Sequence, residues 1–196
     1  MFTFRINDRL ELRLYVPDHA PEVFAVADAN REHIRPWLPW IDAVKTVDDT
    51  RTFIKKGLEQ YARDDGFQCG IWEDNVYIGG LGYHWINRNG NFTEIGYWLA
   101  KSAEGRGVMT TAVRVLVNHA FVAWKLNKVE IRAARANHRS RSVPKRLGFT
   151  EEGVLRQISR IGTTYHDIIV YGMLASEWSS REGGEFSIAP ITGSPH

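Results

Sequence analysis

A single cysteine, Cys69, leaves the chain without an internal disulfide and without a thiolate cluster for a metal. It reads as a small buried hydrophobe in a strand and fits a reducing compartment. The histidines (His19, His33, His84, His119, His138, His166, His196) show no paired ligand spacing, so no metal is expected. No apolar run reaches the roughly 18–20 residues of a membrane helix. The opening "MFTFRINDRLELRL" alternates polar and apolar residues instead of carrying a signal segment. A cytoplasmic protein with no membrane partner is the expectation. A strong excess of one charge is also missing: the formal net charge is +2, which gives no reason to expect DNA.

What is present is a globular composition, 43% hydrophobic and 12% aromatic over 196 residues, enough for one domain with a real core. That domain is expected over residues 1–178, followed from Ser179 by a Gly-, Ser- and Pro-rich, loosely ordered tail. "FTFRIN" and "LELRLYV" alternate with period two and read as strands, and Asp18 is a candidate cap for a helix to about Asn30. "IRPWLPWID" holds two prolines and must be a shaped loop or a broken helix. "VDDTRTFIKKGLEQYARDD" has helical spacing. "FQCGIW", "VYIGGLGYHWI" and "FTEIGYWLA" form a meander joined by polar turns. A glycine loop, a helix, the strand "KVEIRAARA", a short helix ending at Gly148 and a final hairpin complete an α+β arrangement.

Residues 102–116 read SAEGRGVMTTAVRVL. Closely spaced glycines ahead of a helix present backbone N–H groups to an anion at the positive end of the helix dipole. A P-loop would need a lysine at a place where none follows these glycines. A dinucleotide fingerprint would need a glycine at Thr110 and a βαβ unit in place of the meander. Downstream, Lys125, Lys128, Arg132, Arg135, Arg139, Arg141, Lys145 and Arg146 stand against one acid, Glu130. Such a run suits a polyphosphate or RNA, or a solvated basic face.

With "EIGYWL" before the loop, "EGRGVMTTA" within it, "NHRSRSVPKRLGF" after the next strand and "WLPW" upstream, the chain resembles the GCN5-related N-acetyltransferase (GNAT) family, in its RimJ/RimL ribosomal-protein branch, over about residues 3–178. The resemblance implies an acyl-CoA N-acyltransferase fold: a mixed, mostly antiparallel seven-stranded sheet flanked by helices, with the fourth and fifth strands splayed. It also implies acetyl-CoA as co-substrate. The pyrophosphate would lie on backbone donors of Gly105, Arg106, Gly107, Val108, Met109 and Thr110, and the pantetheine arm along Tyr97, Trp98 and Leu99. Asn137 would bond the pantetheine amide, and the basic run, including Arg146, would meet the 3′-phosphate. The family's Arg or Gln ahead of the glycines falls at Ser102, a shorter side chain that Arg106 is a candidate to replace.

Acetyl transfer to an amine needs an uncharged nitrogen, donors for the developing oxyanion and a proton for the leaving thiolate. The tyrosine that many family members use for that proton falls at Pro144. The ribosomal branch uses a serine three residues after the asparagine, which is Ser140 here, a candidate acid or a helix-capping hydroxyl. Glu94, on the same period-two face as Trp98, is a candidate base or a structural carboxylate. A second acid found in the related pattern falls near Ser159, where this chain has none. Trp37, Trp40, Tyr83, His84 and Trp85 are candidate walls of the acceptor groove, or core. The expected acceptor is the N-terminal α-amine of a protein, a ribosomal one included. A small-molecule amine (amino acid, polyamine or antibiotic) and a non-catalytic CoA- or RNA-binding module are the alternatives, and the oligomeric state is left open, a homo-oligomer included.

Overall fold

The computed structural model describes residues 3–181. Alternation in Leu10–Leu14 buries Leu10, Leu12 and Leu14 on one face, which is what makes this segment a strand of a covered sheet. Eight strands form that sheet: β1 (Thr3–Arg5), β2 (Leu10–Leu14), β3 (Gln68–Glu73), β4 (Val76–Asn87), β5 (Phe92–Leu99), β6 (Lys128–Ala134), β7 (Thr150–Ile161) and β8 (Thr164–Leu174), in spatial order β1-β2-β3-β4-β5-β6-β8-β7. The count is eight, as the strand-by-strand reading of the sequence gives, and one more than the family resemblance implies; the N-terminal strand read in "FTFRIN" is Thr3–Arg5, paired antiparallel with β2. The family's fourth and fifth strands are therefore β5 and β6.

The two faces are covered by different helices. Neighbouring residues of one strand, Ile71 and Trp72, belong to separate clusters, as pleating requires. On Ile71's side lies α4 (Val108–Val122), whose buried Met109, Ala112, Val113, Leu116, Val117 and Ala120 make one apolar stripe. On Trp72's side lie α1 (Ala20–Ala29) and α3 (Val47–Ala62), with Tyr15, Val23, Ile54 and Tyr77 packed together. Thr46 starts α3 through a reciprocal cap with Asp49. Asp18 does not cap α1: Pro17–His19 forms a 3-10 turn, and the helix begins only at Ala20. The Pro-rich segment is broken as expected, into α2 (Arg31–Ile34) and a 3-10 turn at Pro39–Asp42. The boundary expected at Ser179 falls inside α6 (Ala175–Arg181), held by the buried Trp178 against Phe121. The tail expectation for residues 182–196 lies outside the described residues. Among the described residues no helix is long and apolar enough to cross a membrane.

Two irregularities shape the middle of the sheet. The parallel pair β5/β6 is in register only from Phe92/Lys128 to Glu94/Glu130. Beyond it β5 continues against β4 alone and β6 against β8 alone, so the strands part. At the same level the β4/β5 ladder shifts between Tyr83 and Ile86, a bulge that takes His84 and Trp85 out of register.

Under this region His119 of α4 is packed among Phe67, Tyr83 and Trp124, and burial lowers its pKa to about 4. The unfolded chain takes up this proton near pH 6.5, but the folded chain only near 4, so stability falls as pH drops through that window. The loss is about 3 kcal/mol for this group. Urea midpoints of the wild type and His119→Phe, compared at pH 7 and pH 4.5, are expected to show a shallower acid loss in the variant; equal losses would sink the assignment.

Candidate active site

The splay opens into a cleft of about 1860 Å³ that runs from the glycine loop, between β5 and β6, to the helical layer carrying Trp37 and Trp40. At one end Gly105 and Gly107 both have left-handed backbones, with φ +77° and +78°. A Cβ at either would meet nothing within 4 Å, so glycine serves the conformation here and not the packing. Gly107 is the N-cap of α4, and the first turn has no side-chain cap and no acid. The first helical bond runs from Thr111 N–H to Gly107 C=O. Among the described residues the N–H groups of Val108, Met109 and Thr110 have no backbone acceptor, and all three residues line the cleft.

Along the middle of the cleft, β5 contributes Tyr97, Trp98 and Leu99 and α5 (His138–Arg146) contributes its N-terminal turn. The edge of β5 turned toward β6 has no partner strand beyond Glu94. Asn137 is the N-cap of α5, its Oδ1 accepting the Ser140 N–H at 3.1 Å. The capping group is thus the asparagine, and the Ser140 hydroxyl does not cap. Ser140 Oγ lies 3.5 Å from Tyr97 Oη, which donates to the Ser140 carbonyl at 2.9 Å. Burial pushes the Tyr97 phenol up, so it stays protonated. Pro144 occupies the α5 position at which the resemblance implies a tyrosine, and Tyr97 of β5 stands beside Ser140.

At the strand junction Glu94 is mostly enclosed and pairs with Arg132 at 3.3 Å; Arg132 also binds Glu130 at 3.0 Å. His84, re-aimed by the β4 bulge, lays its imidazole over Gly96, where a Cβ would overlap Nε2. Trp40 packs edge-on against Trp98, with ring centroids 6.1 Å apart, and lines the cleft on that side.

The sequence matches the family model of the acetyltransferase (GNAT) domain over residues 9–150. The chain is a GNAT-family N-acetyltransferase. It is 34% identical to the Bacillus subtilis (strain 168) protein YdaF, provisionally named a ribosomal N-acetyltransferase, over 93% of this chain and 100% of that one. It is 26% identical to the ribosomal-protein-serine acetyltransferase of Escherichia coli (strain K12), over 88% and 96%. The solved structure of RimL, the ribosomal L7/L12 alpha-N-protein acetyltransferase, in complex with coenzyme A superposes with TM-score 0.86 at 24% identity, covering 89% of this chain and 99% of that one, a likeness of fold.

Several residues of this acetyltransferase lie elsewhere than the sequence suggested. Tyr83 is fully buried on the α4 side, donating to the Leu116 carbonyl at 2.7 Å, and is core, not groove. Trp85 packs on Phe92 and does not line the cleft. Of the five residues expected as acceptor walls, Trp37, Trp40 and His84 do line it. Arg106 turns away to a bidentate pair with Glu73 at 2.7 and 2.9 Å, so it does not stand in for the missing side chain at Ser102, which is exposed and also outside the cleft. The basic run is not an open cationic field. Lys128 pairs with Glu130 and Glu152, Arg135 with Asp167, Arg139 with Glu104 and Arg141 with Glu151. From that run only Arg132, Arg139 and Arg146 line the cleft, and Lys101 joins them from outside it. Glu104, in the loop itself, is held by Arg139 and by His33 at 3.0 Å, partners too distant in sequence to foresee. Ser159 does line the cleft, so the position of the absent second acid is part of the site.

Proposed function

We propose that this acetyltransferase moves the acetyl group of acetyl-CoA to the N-terminal α-amine of a protein, the ribosomal proteins named for its relatives being the first candidates. The observation that carries this reading is one continuous cleft joining a helix terminus with free N–H groups to a largely aromatic chamber through the strand splay, with a carboxylate at the junction. The residues present fit the co-substrate. Three free N–H groups at a glycine-shaped helix end suit a pyrophosphate, Arg146 and Lys101 suit a further phosphate, and the unpaired edge of β5 with the Asn137 amide suits the peptide-like pantetheine. When bound, acetyl-CoA supplies a thioester-activated acetyl group.

In this reading Glu94, paired with Arg132 at 3.3 Å, takes the proton of the incoming ammonium. An N-terminal amine, titrating near 8 against about 10.4 for lysine, asks less of such a base. As the C–S bond breaks, Ser140 Oγ hands a proton to the departing sulfur and regains one from water in the cleft, and Tyr97 fixes the turn that presents it.

Gly107→Ala tests the loop. Alanine in the left-handed region costs about 1–2 kcal/mol, and no neighbour is displaced in the free protein, so the fold is expected to survive. The added methyl crowds the donors, and KM for acetyl-CoA is expected to rise about 10-fold, in line with losing one charge-assisted hydrogen bond. An unchanged KM would remove the loop from the binding site.

The reading as a whole is tested by acetyl-CoA turnover on a panel of short peptides with free and blocked N-termini, spermidine, free amino acids and an aminoglycoside. Turnover of free N-terminal peptides alone is expected. Turnover confined to a small amine, or coenzyme A binding with no turnover at all, would overturn it.

A further inference from the structure

Along the cleft, three donor groups converge on Gly80. A Cβ there would overlap Tyr15 Oη and come within 3.3 Å of both Tyr77 Oη and Trp98 Nε1. The two phenols are 4% and 2% exposed, yet Tyr15, Tyr77 and Gly80 all border the cleft. Their hydroxyls bond each other at 2.7 Å. A pair of phenols carries two O–H protons, and a mutual bond uses one. Among the described residues no other side chain accepts from either phenol, and none accepts from the indole N–H of Trp98. Burial pushes both tyrosines up, so neither ionises and the proton stays in place.

The cleft around this cluster is lined mainly by apolar side chains, and the one carboxylate that adds to the upward push on both phenols, Glu22, is held by the Trp72 indole N–H at 2.8 Å. Val23 and Ala27 of α1, Trp40 of the 3-10 turn, and Thr50 and Phe53 of α3 face the cleft, and none carries a charge. Two donors waiting in such a pocket fit one kind of partner. An ammonium group brings more donors, and the nearby Glu22 carboxylate is already engaged by Trp72. A carboxylate could accept both bonds but would be buried without a counter-charge. An uncharged oxygen accepts both bonds at no such penalty.

We propose that Tyr15, Tyr77 and Trp98 form a specificity subsite that takes a neutral oxygen-bearing side chain, a hydroxyl or carboxamide, on the first residue of the acceptor. A first side chain is the part of a peptide that can leave the main chain and reach buried hydroxyls behind Trp98. The inference rests on the reading that a peptide N-terminus enters the chamber.

The test is the ratio of kcat/KM between peptides that differ only in their first residue: Ser, Thr and Asn against Ala, Asp and Lys. The wild type is expected to favour the first group by about 10-fold or more, the discrimination one or two satisfied neutral hydrogen bonds give. In the double variant Tyr15→Phe/Tyr77→Phe both partners of the buried bond go together and both rings remain, so folding is expected to be kept, as thermal melting would check. Its Ser/Ala ratio is expected to fall several-fold toward one, and that of Trp98→Phe to fall in part. A ratio unchanged in the double variant, or a wild type that favours Ala, Asp or Lys, would overturn the subsite while leaving α-amine acetylation standing. If no peptide is turned over, the acceptor reading fails instead, and serinamide against alaninamide then reads the same ratio; equal turnover of the two, or none, overturns the subsite as well.

Discussion

Replacing Ser140 by alanine is expected to lower kcat about 100-fold while KM for acetyl-CoA moves by less than about threefold, the pattern of an interaction made only in the transition state. The backbone of Ser140 stays fixed in the variant, because its N–H is bonded to Asn137 Oδ1 and its carbonyl to Tyr97 Oη, and neither bond involves the hydroxyl that is lost. The turn therefore keeps its shape, and the change reads the hydroxyl alone. Tyr97→Phe supplies the comparison. Its phenol has its proton committed to the Ser140 carbonyl and lies 3.5 Å from Ser140 Oγ, so its loss loosens the serine without removing the donor, and about a 10-fold fall in kcat is expected. Should Tyr97→Phe prove the more damaging and Ser140→Ala stay within threefold of wild type in steady-state kinetics, the tyrosine would be the acid and the serine its support.

The parts of the site that were legible in the sequence are those whose chemistry is local. Gly105 and Gly107 announce a left-handed turn and Val108 onward a helix within a few residues, so the anion loop is complete in one stretch. The cap of α5 is as local, yet it is Asn137 that caps, through the Ser140 N–H, and not the Ser140 hydroxyl that the sequence offers as a candidate. Legibility ends where function depends on partners far along the chain. The basic run was read as a field because its counter-charges, Glu104, Glu151, Glu152 and Asp167, come from other strands and loops. Tyr83 and Trp85 share a strand with His84, and simple alternation cannot tell which of the three meets the cleft once a bulge intervenes. The donor cluster at Gly80 joins Tyr15, Tyr77 and Trp98, which share no spacing at all.

Those distant contacts also decide what can be asked of Glu94. Its carboxylate lies beside Arg132, which is shared with Glu130, and that pairing serves a base and a purely structural anion equally well. Protonation of the substrate separates the two. With Glu94→Gln, kcat/KM on an N-terminal peptide is expected to fall about 100-fold at pH 7, where most of an amine titrating near 8 is charged and must lose its proton on the enzyme. As pH rises through 8 the amine arrives already neutral, the base has less to do, and the deficit is expected to narrow to about 10-fold by pH 9. A structural carboxylate gives no such convergence, because a misplaced strand end misaligns the neutral amine as badly as the charged one. A deficit independent of pH therefore assigns Glu94 to structure. His84 is then the group to test, since its imidazole lies over Gly96 two residues along the same strand, and His84→Gln would have to show the pH-dependent loss in its place.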